Sequence, residues 1–219
     1  MEQTEMEFTH QGEKLAARHP FFGPANSKTL LESIKHDKYS EPAFPELASF
    51  IHRYYGEEGH RAREIREIMT AKYFVGFTAV LYMPGKKEVY FIDRPVFHWD
   101  AVVDTDNLLL RLKLGKARAS VPFDKVETGS VPFDKIPKNP FFRAVSGGEE
   151  GAEKLAEIAS MHTDKKGHIF VPDISYFTSP QARIALLYSY DKGRSLTVSL
   201  NGSGYSINSY TFGLISGRD

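Results

Sequence analysis

The spacing of apolar residues changes near Tyr73, and this change limits what the chain can fold into. Before Tyr73, apolar residues recur every three to four positions, which is typical of amphipathic helices. After it, apolar and polar residues alternate and turn-forming residues return at short intervals, which is typical of antiparallel strands. The sequence therefore predicts an α+β fold, with N-terminal helices packed on antiparallel β-meanders and one further helix between two β regions.

Three helices are predicted before Tyr73. The first, in "NSKTLLESIKH", follows a capping residue at Asn26 or Ser27, and the second, "PELASFIHRYYG", starts with a proline and stops at Gly56. The third, in "EEGHRAREIREIMTAKY", places an apolar stripe on one side, formed by Ile65, Ile68 and Met69. A later helix is predicted in "GGEEGAEKLAEIASMH", with these residues inward: Leu155, Ile158 and Ala159.

Residues 97–114 are predicted to form a β-hairpin with its loop at Asp104–Asn107. In this register one face pairs only apolar residues: Phe97 with Leu114, Trp99 with Leu112, Ala101 with Leu110, and Val103 with Leu108. On the other face Asp100 meets Arg111 and His98 meets Lys113. Agreement in polarity between cross-strand partners is what a buried face requires. The register predicts that Trp99 is buried.

A three-stranded meander is predicted at the C-terminal end, because "DKGR" and "NGSG" are turn signals between alternating segments. In "SLTVSL" the two faces of the strand differ: Leu196, Val198 and Leu200 share one, and Ser195, Thr197 and Ser199 share the other. The polar face is predicted to extend onto the last strand, through Ser206, Asn208 and Tyr210. The sequence thus predicts a sheet surface that is rich in hydroxyl groups.

Composition limits the compartment and the classes of partner. Lys plus Arg and Asp plus Glu both number 28, and this neutral balance disfavours a dedicated nucleic-acid binder. Cysteine is absent, which removes disulfides and thiolate chemistry. The polar N-terminus does not resemble a secretory signal, and the apolar runs are too short for membrane-spanning helices. We expect a soluble, cytoplasmic protein.

The length fits one domain over residues 1–219. A subdivision is the second option, with a helical layer at 1–72, a first β-meander at 73–135, and a helix plus the C-terminal β-meander at 140–219.

The segment "SVPFDKVETGSVPFDK" contains the same six residues twice. Each proline keeps the preceding valine extended, so each copy presents a phenylalanine on an extended arm. One interpretation is a bivalent docking loop, with Phe123 and Phe133 as anchors and Lys125 and Lys135 as polar rims. The other is a copied loop whose phenylalanines pack on the protein's own core, which solubility favours. The four residues are our candidate binding site.

A second candidate site groups a histidine with three acids: His98, Asp100, Asp104 and Asp106. Carboxylate and imidazole groups are ligands for divalent cations, so a metal-dependent hydrolase or phosphoesterase is an alternative function. The hairpin register instead makes Asp104 and Asp106 turn formers and places a cation opposite Asp100 and His98. We therefore predict no metal site, and these four residues are weak catalytic candidates.

The function favoured by the sequence is a non-enzymatic binding or assembly module. Aromatic residues make up 13% of the chain, and no nucleophile elbow, P-loop or dinucleotide-binding motif is present. An aromatic or β surface would engage a protein or small molecule, with a protein partner or self-association expected and no cofactor. A second alternative is nucleic-acid binding through the helix of Arg61–Lys72, although Glu64 and Glu67 interrupt its basic residues.

Overall fold

The computed structural model describes residues 3–126, 129–202, 204 and 206–215. Its helices are α1 (Ser27–His36), α2 (Phe44–Tyr55), α3 (His60–Ala71), α4 (Thr105–Lys113), α5 (Pro140–Ser146) and α6 (Glu149–Ser160). Its strands are β1 (Thr4–His10), β2 (Glu13–His19), β3 (Phe22–Ala25), β4 (Tyr73–Met83), β5 (Glu88–Asp93), β6 (Ala119–Pro122), β7 (Gly129–Pro132), β8 (Lys166–Phe170), β9 (Gln181–Tyr190), β10 (Ser195–Gly202), β11 (Ser209–Thr211) and β12 (Leu214–Ile215).

Most strands belong to one mixed sheet. Its order is β3-β11-β4-β9-β10-β8-β7, and β5 pairs with β4 and carries β6 on its other side. The pairs β8–β10 and β4–β11 are parallel, and the other pairs are antiparallel. A separate antiparallel sheet has the order β1-β2-β12. The α+β fold predicted from the sequence is confirmed, with strands β1 to β3 placed before the first helix.

The predicted helices are confirmed. Asn26 caps α1 by accepting a hydrogen bond from the backbone N–H of Thr29 at 2.9 Å. The residues predicted to face inward on α3 and α6 are buried: Ile65, Ile68 and Met69 on α3, and Leu155, Ile158 and Ala159 on α6. The helix α5 was not predicted. It begins at Pro140 after Asn139, whose side chain accepts from two backbone N–H groups.

The predicted hairpin at residues 97–114 is wrong. The chain turns back after Phe97, which bridges Val103, and the tip of this short turn leaves the Trp99 side chain 87% exposed. Asp104 then accepts from the backbone N–H of Asn107 at 2.9 Å and caps α4. Leucine is a good helix former, and an N-cap aspartate starts the helix where the hairpin required a loop. Leu108 is buried and Leu110 is 56% exposed, so the leucines do not share one face.

The predicted C-terminal meander is correct for two strands and wrong for the third. The hairpin β9–β10 forms through the turn at residues 191–194. The strand that follows β10, β11, pairs instead with β3 and β4, at the far side of β9. Tyr210 therefore lies opposite Phe74 rather than beside β10. Asn208 and Tyr210 do not extend the polar face of β10.

The two faces of the large sheet are covered differently. On the first face α2, α3, α5 and α6 enclose the main core, which takes Leu196, Val198 and Leu200 from β10. On the second face α1 packs over one part of β4 and β9, and Leu108 of α4 covers another part. The second face over β8, β10 and the end of β9 belongs to neither of the apolar clusters beneath α1 and α4. Among the described helices, none packs on this region in those clusters.

Candidate functional site

The uncovered part of the second face forms a concave surface that we call the aromatic trough. Its floor consists of small hydroxyl residues of β10: Ser195, Thr197 and Ser199. Its walls are side chains of the neighbouring strands: His168 and Phe170 on β8, and Tyr188 and Tyr190 on β9. The register fixes this arrangement, because Thr197 pairs with His168 on one side and with Tyr188 on the other.

A cavity of about 880 Å³ lies along the trough. This volume is within the range of small-molecule sites. Its lining comes from the trough and from the chain around the start of β7 and the end of β8: Val126, Gly129, His168, Ile169, Phe170, Val171, Pro172, Asp173, Ile174, Tyr188, Tyr190 and Thr197. A second cavity of about 250 Å³ shares Phe170 and Tyr188 and continues to Ser206. The two cavities are therefore neighbours on the second face of the sheet.

The aromatic walls lean over the floor. Strands β8 and β9 are separated by β10, so their backbones stand about 9.6 Å apart. The ring centroids of His168 and Tyr190 are nevertheless only 5.9 Å apart. Small residues on β10 leave the space that these rings occupy. The floor is consequently hidden, with Thr197 only 2% exposed, whereas Tyr190 at the rim is 56% exposed.

The hydroxyl oxygen of Thr197 is buried and has no hydrogen-bond partner among the described residues. An unsatisfied buried hydroxyl costs about 1–3 kcal/mol, so such groups are rare in folded proteins. The oxygen belongs to a residue that lines the large cavity. This position would become satisfied if a ligand in the trough supplied a hydrogen-bonding group.

The charge state of the trough follows from its neighbours. Burial lowers the pKa of His168, and the positive charge of Lys166 lowers it further. The imidazole is thus neutral at neutral pH, and its Nε2 lies 2.7 Å from the Ser130 hydroxyl. Burial raises the pKa of Tyr188, with smaller effects from Tyr73 and Tyr190. The phenol of Tyr188 is therefore also neutral.

Asp173 supplies a carboxylate to the lining of the large cavity. Hydrogen bonds from the side chain and the backbone N–H of Ser175 lower the pKa of Asp173, which keeps it ionised. Among the described residues that line this cavity, Asp173 carries the formal negative charge and no lysine or arginine is present. The trough is therefore an aromatic, hydroxyl-bearing groove with a negative group at one end.

The residues of the duplicated segment are not brought together at the trough. Both copies adopt the same backbone, a strand followed by a 3₁₀ turn, but β6 pairs with β5 and β7 pairs with β8. Phe123 is half-buried against the main core, and Phe133 is 37% exposed. Lys135 lines a separate shallow cleft of about 450 Å³ beside β7, and Lys125 is exposed. Binding by these four residues remains a prediction.

The acidic candidates are used for local structure. Asp100 accepts from the backbone N–H of Val102 at 3.2 Å, and Asp104 caps α4. The His98 Nε2 lies 3.7 Å from the Asp104 carboxylate, and Asp106 lies in the first turn of α4. Across the part of the chain that the structure describes, no three His, Asp or Glu side chains gather as metal ligands.

The arginines of α3 also contact the protein itself. Arg66 donates to the backbone carbonyls of Tyr55 and Glu57 at 2.7 and 2.9 Å, where α2 ends. Arg61 donates to the Thr4 hydroxyl at 3.0 Å. Positive side chains near the end of a helix stabilise its last carbonyls. These contacts give Arg66 and Arg61 a structural role.

Sequence reasoning found the floor of the trough and missed its walls. The alternation in "SLTVSL" placed the three hydroxyl residues on one face. The same alternation is present in "HIF" and in "YSY", where His168 and Phe170, and Tyr188 and Tyr190, are two residues apart. What was missing was the strand order, since β8 is joined to β10 in parallel.

Comparison with known proteins shows the fold. A solved structure described as the accommodation of massive sequence variation in Nanoarchaeota by the C-type lectin fold is similar to this chain, with a TM-score of 0.58 and 17% sequence identity. The match covers 97% of each chain. No family model matches the chain, and no curated protein matches it. None of the helices in the described ranges is long and apolar enough to span a membrane.

Proposed function

We propose that the chain is a non-enzymatic binding module and that the aromatic trough is its ligand site. The observation that carries this proposal is the buried, unpartnered hydroxyl of Thr197 beside a cavity of about 880 Å³. Strand residues form the floor and the walls of the trough, with Thr197 buried at its base and Tyr190 exposed at its rim. This arrangement suits recognition of a small molecule or of a side chain of a partner.

The fold supports the same proposal. The similar structure concerns a C-type lectin fold that accommodates massive sequence variation. In this chain the residues of the trough project away from the main core, so they can differ without disturbing the packing on the first face. In a domain of this kind, the residues that stabilise the fold are different from the residues that recognise the ligand.

The other functions predicted from the sequence gain no comparable support. A metal-dependent hydrolase would need Asp100 and Asp104 free to bind a cation, and both hold backbone N–H groups. Docking through Phe123 and Phe133, including self-association, stays a second proposal. We also infer one domain, because the main core draws residues from Met6 to Leu214. The cytoplasmic location rests on the sequence alone and stays a prediction.

The proposal is tested by titrating a library of small neutral, cationic and anionic compounds into the labelled protein and mapping amide NMR shifts. We expect the compounds that bind to shift the signals of Thr197 and Tyr188. Tyr190→Ala should weaken these compounds, whereas Tyr176→Ala should not, because Tyr176 is exposed and does not line the cavity. Compounds that map only to Phe133 or to the Trp99 turn would overturn the assignment of the site.

A further inference from the structure

We propose that the trough recognises a small organic cation, an ammonium group on an apolar body. This inference deepens the proposed function and rests on the trough being the ligand site. Its basis is a combination found among the described residues that line one cavity, namely aromatic faces, a carboxylate and an unpartnered hydroxyl: Phe170, Tyr188, Tyr190, Asp173 and Thr197.

The charges around the cavity favour a cation. Asp173 lines the cavity and is ionised, whereas Lys166, the cation of β8, lies at the opposite end of the strand and does not line it. Arg194, near the same end as Lys166, forms ion pairs with Asp164 and Asp191 at 3.2 and 3.5 Å. An anion in the trough would meet the Asp173 carboxylate. A cation would be attracted by it.

The aromatic walls also favour a cation. The face of a phenyl or phenol ring is electron-rich and attracts an ammonium group placed over it. Tyr188 and Tyr190 are two residues apart on β9 and project on one side of the groove, and Phe170 projects on the other. Because the pKa of Tyr188 is raised and its phenol stays neutral, the ring acts through its face rather than through a phenolate charge.

The floor supplies the directional contact. An ammonium group has hydrogen-bond donors and no acceptor, and a threonine hydroxyl can accept. The Thr197 oxygen has no described partner, so it can accept from the ligand without losing a bond within the protein. Neighbouring Ser195 is already engaged with the Asp164 carboxylate. Because Thr197 has no described partner and Ser195 has one, we place the ammonium group above Thr197.

Entry of the ligand requires the rim to open. The ring centroids of His168 and Tyr190 are 5.9 Å apart, within the range of about 4.5–7 Å at which two aromatic rings contact each other, so the pair closes the rim. Tyr190 is mostly exposed and can rotate outward, whereas His168 is held by the Ser130 hydroxyl. We therefore expect Tyr190 to be the side that moves.

The test compares three probes of equal length and different charge: n-butylammonium, n-butanol and n-butyrate. Each is titrated into the intact protein, with binding measured by calorimetry and by the amide signals of Thr197 and Tyr188. We expect n-butylammonium to bind at least about tenfold more tightly than n-butanol, a difference of about one hydrogen-bonded or charged contact. We expect n-butyrate not to bind.

Three variants identify the groups responsible. Asp173→Asn removes the charge while keeping the shape, so it should weaken n-butylammonium about tenfold and leave n-butanol unchanged. Thr197→Val keeps the volume and removes the hydroxyl, so it should weaken n-butylammonium as well. Asp106→Asn is the matched control, since Asp106 is an exposed acid on α4 outside the cavity. It should change nothing.

The outcomes separate this inference from the proposed function. Equal binding of n-butanol and n-butylammonium at the trough, or tighter binding of n-butyrate, overturns the cation inference and leaves the trough as a ligand site. Unchanged n-butylammonium binding in Asp173→Asn and Thr197→Val also overturns it. If the trough signals respond to none of these probes or library compounds, both the inference and the proposed function are overturned.

Discussion

The second face of the sheet has a covered half and an open half. In the covered half, Ala79, Leu81 and Ile92 point outward and Leu108 of α4 packs on them. In the open half, the same face of β10 carries serine and threonine between aromatic walls. The difference teaches that residues on the outer face of one continuous sheet decide whether a helix packs on it or a cavity stays open. Changes at five positions test this contrast, from the largest expected change to the smallest.

The largest change is expected in the covered half. Leu108→Ala should lower the free energy of unfolding by about 3 kcal/mol, because it removes a fully buried side chain and leaves a cavity. Leu110→Ala should stay within about 0.5 kcal/mol, because Leu110 is exposed on the other side of α4. Urea denaturation of both variants measures this. Equal losses would indicate that the leucines share one buried face, as a hairpin would require.

The next prediction concerns the support beneath the open half. His162 is buried, with its Nε2 2.9 Å from the Ser189 hydroxyl of β9 and its Nδ1 2.9 Å from the carbonyl of Ile158. His162→Ala should cost about 2 kcal/mol at neutral pH by leaving these groups without a partner. His98→Ala, on the exposed turn, is the control and should have little effect.

The loss of stability in His162→Ala should depend on pH, because the imidazole of His162 can be protonated. Burial lowers the pKa of His162 from its ordinary value of 6.5. Below pH 6.5 the unfolded chain therefore binds a proton at this histidine, whereas the folded protein does not. The free energy of unfolding consequently falls as the pH is lowered, until the pH passes the folded-state pKa. His162→Ala lacks this contribution. The stability difference between the two proteins should shrink as the pH falls, and a constant difference would contradict the assignment.

The start of the covering helix gives a smaller effect. Asp104→Ala should cost about 1 kcal/mol, because Asp104 caps α4 through the backbone N–H of Asn107. Asp106→Ala should cost less than about 0.5 kcal/mol, since Asp106 contributes only through its charge near the helix N-terminus. Thermal unfolding of the pair measures this. If both acids were turn residues, their replacement would have similar effects.

The open half should respond in the opposite direction. Thr197→Val should raise the free energy of unfolding by about 0.5–1 kcal/mol, because it replaces an unsatisfied buried hydroxyl by a methyl group of equal size. Ser189→Ala is a useful comparison, since the Ser189 hydroxyl is bonded to His162 and its loss should destabilise. A loss of stability in Thr197→Val would mean that the hydroxyl has a partner in the folded protein.

The smallest effect is expected at the turn that leads into α4. Trp99 is the single tryptophan of the chain and is 87% exposed, so its fluorescence should be that of indole in water and should be quenched readily by acrylamide. Trp99→Phe should leave stability unchanged within about 0.5 kcal/mol. Blue-shifted, protected emission would instead place Trp99 in the interior.

Local patterns were sufficient where one interpretation fitted both spacing and residue type. The helices α1, α2, α3 and α6 have apolar stripes, and two of them start at recognisable signals, Asn26 and Pro45. The β9–β10 hairpin combines alternation with an Asp-Lys-Gly turn. Residues 97–114 matched a hairpin in polarity as well, but their leucines favour a helix and Asp104 is a good cap. The polarity of facing residues alone did not distinguish a hairpin from a helix at residues 97–114.

The sequence by itself determined the α+β class, most helices, and the hydroxyl face of β10, because these depend on residues a few positions apart. The tertiary structure decided which strands lie beside β10, where α4 lies, and that β11 joins β4 rather than β10. Strand order depends on contacts between distant residues, which alternation along one strand cannot encode. The trough exists only because β8 and β9 flank a strand of small residues, and that neighbourhood is a property of the folded chain.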